Sequence, residues 1–132
     1  MALKIASLPT SVLPYKIVSE SAFAGLHSDI TAGSGTLYYL SFKSTALAAN
    51  NSGITYYIKI SFSSSTVVAG TTTPDVIIPI TGSSGGTTIT LPLPGGIAYT
   101  SLSLWLVDSA ADNSSSTAAA NSGAVSFAAV SR

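Results

Sequence analysis

The sequence predicts an all-β protein folded as an antiparallel two-sheet β-sandwich, and three observations carry that prediction. Ile54, Tyr56, Ile58, Ile60 and Phe62 alternate strictly with Thr55, Tyr57, Lys59, Ser61 and Ser63, the period of a strand with one buried face. Tyr38, Leu40 and Phe42 repeat the same recipe upstream, with Leu37, Tyr39, Ser41 and Lys43 on the other face. Helical periodicity is absent, while turn signals punctuate about seven apolar stretches. A jelly-roll-like arrangement is one way to connect such strands. Strand order is not legible at this level.

The elements follow in order. Residues 1–14, MALKIASLPTSVLP, hold Pro9 and Pro14 and no sustained period, which predicts an extended N-terminal arm rather than a packed element. Residues 15–132 then form a single sandwich domain. Tyr15 to Phe23 reads as the first strand, with Tyr15 and Ile17 on one face and Lys16, Val18 and Glu20 on the other. A long loop follows, ending at Gly33 and Gly35. The two aromatic strands are separated by 45–53, whose Asn50-Asn51-Ser52-Gly53 is a turn signal.

Residues 64–75 form a connection with Val67 and Val68 in it. In the next strand Val76, Ile78 and Ile80 share a face, and Pro79 places it at a sheet edge, since proline cannot donate to a ladder. Residues 81–86, TGSSGG, read as a hairpin connection. Ile89, Leu91 and Leu93 then share one face of a strand that carries Pro92. Pro94-Gly95-Gly96 is the clearest turn in the chain. Tyr99 to Asp108 reads as a second central strand, with Leu102, Leu104 and Leu106 inward and Ser101, Ser103, Trp105 and Val107 outward. A low-complexity loop, 109–123, precedes a closing strand with Val125, Phe127 and Ala129 on one face.

Charge is the most unusual total. Five Lys and Arg against five Asp and Glu make 8% of the chain, where ordinary domains have about 25%. The surface must then be mostly Ser, Thr, Ala, Gly and Asn, and a neutral, charge-poor surface tends to associate. The plainer reading is a surface kept soluble by hydroxyls alone. Lys4, Lys16, Lys43, Lys59 and Arg132 are scattered, so no basic patch addresses phosphates, and neither nucleic acid nor membrane is an expected partner. No stretch approaches the ~20 apolar residues of a membrane span. No secretory signal is expected, because Pro9 and Pro14 break the first apolar run. Without cysteine there is no disulfide, thiolate site or Cys nucleophile.

Reactive constellations are weak. His27, Ser28 and Asp29 are the residue types of a hydrolytic triad, but consecutive residues cannot face one another in that geometry, and a solvated loop histidine is the better reading. Asp108, Asp112 and Asn113 offer oxygens for Ca²⁺ without the order or closing Glu of an EF-hand. Gly82 to Gly86 lacks the Lys and helix of a phosphate cradle. Asn50 and Asn113 match the glycosylation pattern, which has little weight without a signal. No catalytic residue, metal or cofactor is expected. The candidate that remains is a surface: Tyr39, Tyr57 and Trp105, with Lys59 beside Tyr57, all opposite their strands' expected core residues. Three readings stand open: a subunit interface, a sugar-stacking platform, or the core itself if the buried face is inverted.

The order YYIKISF at 56–62, GTTTP at 70–74, VIIPI at 76–80, GIAY at 96–99 and LSLWLV at 102–107 resembles small structural proteins of tailed-bacteriophage virions. Leu102 stands where that pattern would have a glycine ahead of the Leu-Ser pair. The resemblance implies a non-enzymatic decoration or cement protein, made in the host bacterial cytoplasm and located in the virion. It would bind the major capsid protein or another virion protein as a homo-oligomer, with a trimer favoured. The rival expectations are a glycan- or receptor-binding module of a tail fibre or baseplate, using the three aromatics, and a depolymerase-type enzyme, for which carboxylates are scarce.

Overall fold

Alternating apolar positions build nine strands in a computed structural model that describes residues 3–7, 15–20, 26–44, 55–81, 87–107 and 125–132. They are β1 (Leu3–Ser7), β2 (Lys16–Glu20), β3 (Leu26–His27), β4 (Gly35–Ser44), β5 (Thr55–Ser61), β6 (Val76–Thr81), β7 (Thr87–Tyr99), β8 (Ser103–Val107) and β9 (Val125–Ser131). No helix occurs among the described residues. Every pairing is antiparallel, and the strands form two sheets, ordered β1-β2-β9-β4-β7 and β3-β8-β5-β6. The predicted two-sheet antiparallel β-sandwich is therefore present.

The pairings are nested. β5 pairs with β6, β4 with β7, β3 with β8 and β2 with β9, so the strands from β2 to β9 run as one long hairpin wrapped over itself. Glu20, Ser44, Thr87 and Val125 close one end of the five-stranded sheet, and Leu26, Thr55, Thr81 and Val107 one end of the four-stranded one. Residues 21–25, 45–54, 82–86 and 108–124 lie outside the described residues, and with them the predicted turn at 50–53 and all but Thr81 of the hairpin connection of 81–86. At the other end, 28–34, 62–75 and 100–102 cross between strands and are described throughout.

The core fills the space between the sheets. Val18, Leu40, Phe42, Phe127 and Ala129 enter from the five-stranded sheet, and Tyr56, Ile58, Ile60, Ile80, Leu104 and Leu106 from the four-stranded one. Phe42 lies directly opposite Phe127, with ring centroids 6.4 Å apart. Each Val, Leu, Ile and Phe among them contributes about 1.5–3 kcal/mol on leaving water. The even-numbered face of β5 is thus core, as its alternation predicts.

Four local expectations are corrected. Leu37 is fully buried together with Leu40 and Phe42, although strict alternation would turn it outward; β4 shifts register between Leu37 and Tyr39, and the extra residue, Tyr38, restores Leu37 to the inner face. Pro94-Gly95-Gly96 is not a hairpin turn. It is the irregular part of β7, where Tyr39 pairs with Pro92 and Leu37 with Ile97. The strand predicted from Tyr99 to Asp108 is two elements, because Thr100 to Leu102 carry the chain from one sheet to the other and both Thr100 and Ser101 donate to the Phe62 carbonyl. Finally, Leu3–Ser7 is not a free arm: it pairs with β2 as the edge of the five-stranded sheet, while 8–14 lie outside the described residues. The edge position expected for the Pro79 strand and the central one for β8 both hold.

Candidate interface

The outer face of the four-stranded sheet is built in rows by its register. Leu26, Trp105, Lys59 and Ile77 lie side by side across β3, β8, β5 and β6, and Val107, Tyr57 and Pro79 form the next row. Three of the four predicted interface residues therefore share one patch. Tyr39 does not. It sits opposite Pro92 and Val130 on the outward side of the five-stranded sheet, with Ser41 and Lys43, and so on the far side of the sandwich.

The patch is also closed to solvent where it was expected to be open. Trp105 is 1% exposed and Lys59 is fully buried, and only Tyr57 remains half-buried. The cause is the connection between β5 and β6, which folds back across the sheet and lays Val67 against Trp105 and Val107, with Tyr57 packed alongside. A second, small core thus forms on the outer face; the face is not inverted, since Leu104 and Leu106 fill the main core, but Trp105 is buried all the same.

Hydrogen bonds fix this strap at both ends. Val67 donates its N–H to Ser28 Oγ at 2.9 Å, and Ser103 Oγ donates to the Ser64 carbonyl at 2.6 Å. Asp75 returns the chain to the sheet, donating its N–H to the Ile60 carbonyl at 2.8 Å and accepting from the Phe62 N–H at 2.7 Å through Oδ2. Between these anchors, Val68 N–H donates to Thr72 Oγ1 while its carbonyl accepts from Thr71 and Thr72. The large apolar side chains that remain exposed among the described residues are Leu26 and Val68, at 41% and 53%.

The residues of the discarded triad serve the same framework. His27 lies in β3, not in a solvated loop, with its ring 6.1 Å from Phe127 in an edge-on arrangement. Ser28 holds Val67. Asp29, at φ +47°, accepts from Ser101 Oγ at 2.9 Å and Gly33 N–H at 3.1 Å through Oδ1, and donates its own N–H to Ser103 Oγ. The hydroxyl and carboxylate are therefore committed to joining three connections at this end. Asp108, Asp112 and Asn113, and the glycosylation position Asn50, lie outside the described residues. Among the described residues no group of three or more His, Cys, Asp or Glu is placed to hold a metal.

A different surface went unremarked in the sequence. The partly buried apolar side chains packed against the main core are Phe62, Val76, Ile78, Ile89, Leu91 and Leu93. All belong to β6, β7 or the residue just past β5, and β6 and β7, each the edge of its sheet, touch each other. The signal was available: residues 76–107 contain no charged residue, and Pro79, Pro92 and Pro94 mark the strands as edges.

Comparison with protein-family models, with curated proteins and with solved structures finds no match to this chain.

Proposed function

We propose that the chain is a non-enzymatic structural protein of a virion, a decoration or cement protein that binds an assembled shell and stabilises it. The observation that carries this reading is the nested strand order, β2-β9-β4-β7 against β3-β8-β5-β6. We read it as a double-layer jelly roll with β1 added at one edge. That architecture serves viral capsid proteins, but also lectins and cupins, and fold alone does not choose among them.

Composition supports the virion reading within that set. With 8% charged residues, the outer faces suit continuous contact with protein, and a cement protein acts through added interface area. By mass action, a protein that binds only the assembled shell shifts disassembly toward higher temperature and pressure. The sequence resemblance points the same way. The glycan-module reading loses its platform, since Trp105 is buried and Tyr39 and Tyr57 sit on opposite sides of the sandwich.

The test is mass spectrometry of intact particles from the source of the sequence. The reading expects many copies per particle, and particles stripped of the protein should disassemble at lower temperature. Its absence from purified particles would overturn it.

A further inference from the structure

Among the described residues, the members of the main core that keep some exposure lie together. Val18, Leu40, Phe42, Ile58, Ile60, Leu104 and Leu106 are almost wholly withdrawn from solvent, whereas the incompletely covered members line up along β6 and β7. These two strands are the edges of their sheets and touch each other, so they lie on the same side of the sandwich. The ordinary partner of an open edge is another strand, added through its backbone. Here Pro79 in β6 and Pro92 and Pro94 in β7 have no N–H to offer. What this side presents is a seam of Val, Ile and Leu side chains.

We propose that this seam, centred on Ile78, Ile89 and Leu91, packs against the same seam of a second copy of the chain. The occupant follows from charge. A contact about a two-fold axis sets each residue near its own symmetry mate, so a charge in the patch meets its like and costs free energy. All ten Asp, Glu, Lys and Arg residues fall outside 76–107, which spans both seam strands. The nearest charges flank the seam, Asp75 just before Val76 and Lys43 opposite Thr88 on the outward side of β4, so its centre at Ile78, Ile89 and Leu91 is compatible with itself. The proposal concerns how copies meet and rests on the virion reading only in expecting them to meet.

Analytical ultracentrifugation of the purified full chain across a concentration series, with hydroxyl-radical footprinting at its two ends, tests this. The expected result is a dimer or larger assembly in which Ile78, Ile89 and Leu91 gain protection as concentration rises, while Leu26 and Val68 do not. Leu91→Lys should weaken association on the order of tenfold or more, and Val68→Lys should leave it unchanged. Footprinting uses the unmodified chain, so it decides the matter even if Leu91→Lys fails to fold. A monomer at every concentration, or protection centred on Leu26 and Val68, overturns the proposal. A monomer that still coats shells overturns this contact alone, whereas an assembly with the expected footprint that is absent from particles overturns the decoration reading alone.

Discussion

Lys59 lies directly opposite Trp105 across the β5–β8 ladder, and neither reaches solvent. Trp105 is the chain's one tryptophan, so its emission reports on the strap that covers it. Folded protein should emit at shorter wavelength than unfolded protein and resist quenching by iodide. Trp105→Ala should cost about 3–5 kcal/mol by urea denaturation, the range for emptying a large buried aromatic site. Native emission resembling that of the unfolded chain would show that the outer face is open.

Ser103 holds two connections with one hydroxyl, accepting from the Asp29 N–H and donating to the Ser64 carbonyl. Ser103→Ala leaves both groups without that partner at a buried position. The expected loss is about 1–3 kcal/mol, with amide exchange quickening at Asp29 and Val67 ahead of the central strands. Unchanged exchange at Val67 would mean that the Ser28 bond and the apolar contacts hold the strap without Ser103.

Gly95 and Gly96 are neighbours with different constraints. Gly96 sits at φ +70°, and a Cβ there would run into Thr36 and approach Tyr38 to 3.0 Å; at Gly95 a Cβ meets nothing within 4 Å. Gly96→Ala should therefore destabilise by about 1–3 kcal/mol, through strain and crowding. Gly95→Ala should fall within about 0.5 kcal/mol of the parent. Equal denaturation midpoints would contradict the β7 irregularity at this point.

Removal of residues 1–7 takes away an edge strand that pairs with β2. The remaining eight-strand sandwich should fold, with native Trp105 emission. In the virion reading, the truncated protein should bind shells more weakly in a co-sedimentation assay. Full occupancy would place the attachment elsewhere.

The strands were legible because alternation is local: Tyr56, Ile58 and Ile60 in β5 and Phe127 and Ala129 in β9 are the core residues that their parity marks. The bulge that turns Leu37 inward was not, because a single extra residue leaves no mark until partner strands fix the register. Pro94-Gly95-Gly96 misled for a related reason, since residues that favour a reversal also serve a bulge inside a strand. The interface fared worst. Alternation placed Trp105, Lys59 and Tyr57 correctly on the face away from the main core, but whether that face meets water depends on Val67, which reaches it from a connection with no period of its own. Tyr39 was grouped with them because parity gives a face within a strand and is silent on which sheet the strand joins.

The nesting of the strands has a consequence for how the molecule comes into being. β5 and β6 are close in sequence and can pair early, but β9 occupies the space between β2 and β4, with Ser131 opposite Lys16 on one side and Leu37 on the other. The middle of the larger sheet is thus the last of the described strands to be synthesised, and closing it joins distant parts of the chain, the slow kind of pairing. Until β9 is made, β2 and β4 each lack the strand that joins them in the finished sheet. A neighbouring copy's β9 carries the same pairing edges as the chain's own, so yield of correctly folded protein should fall as nascent chains crowd together.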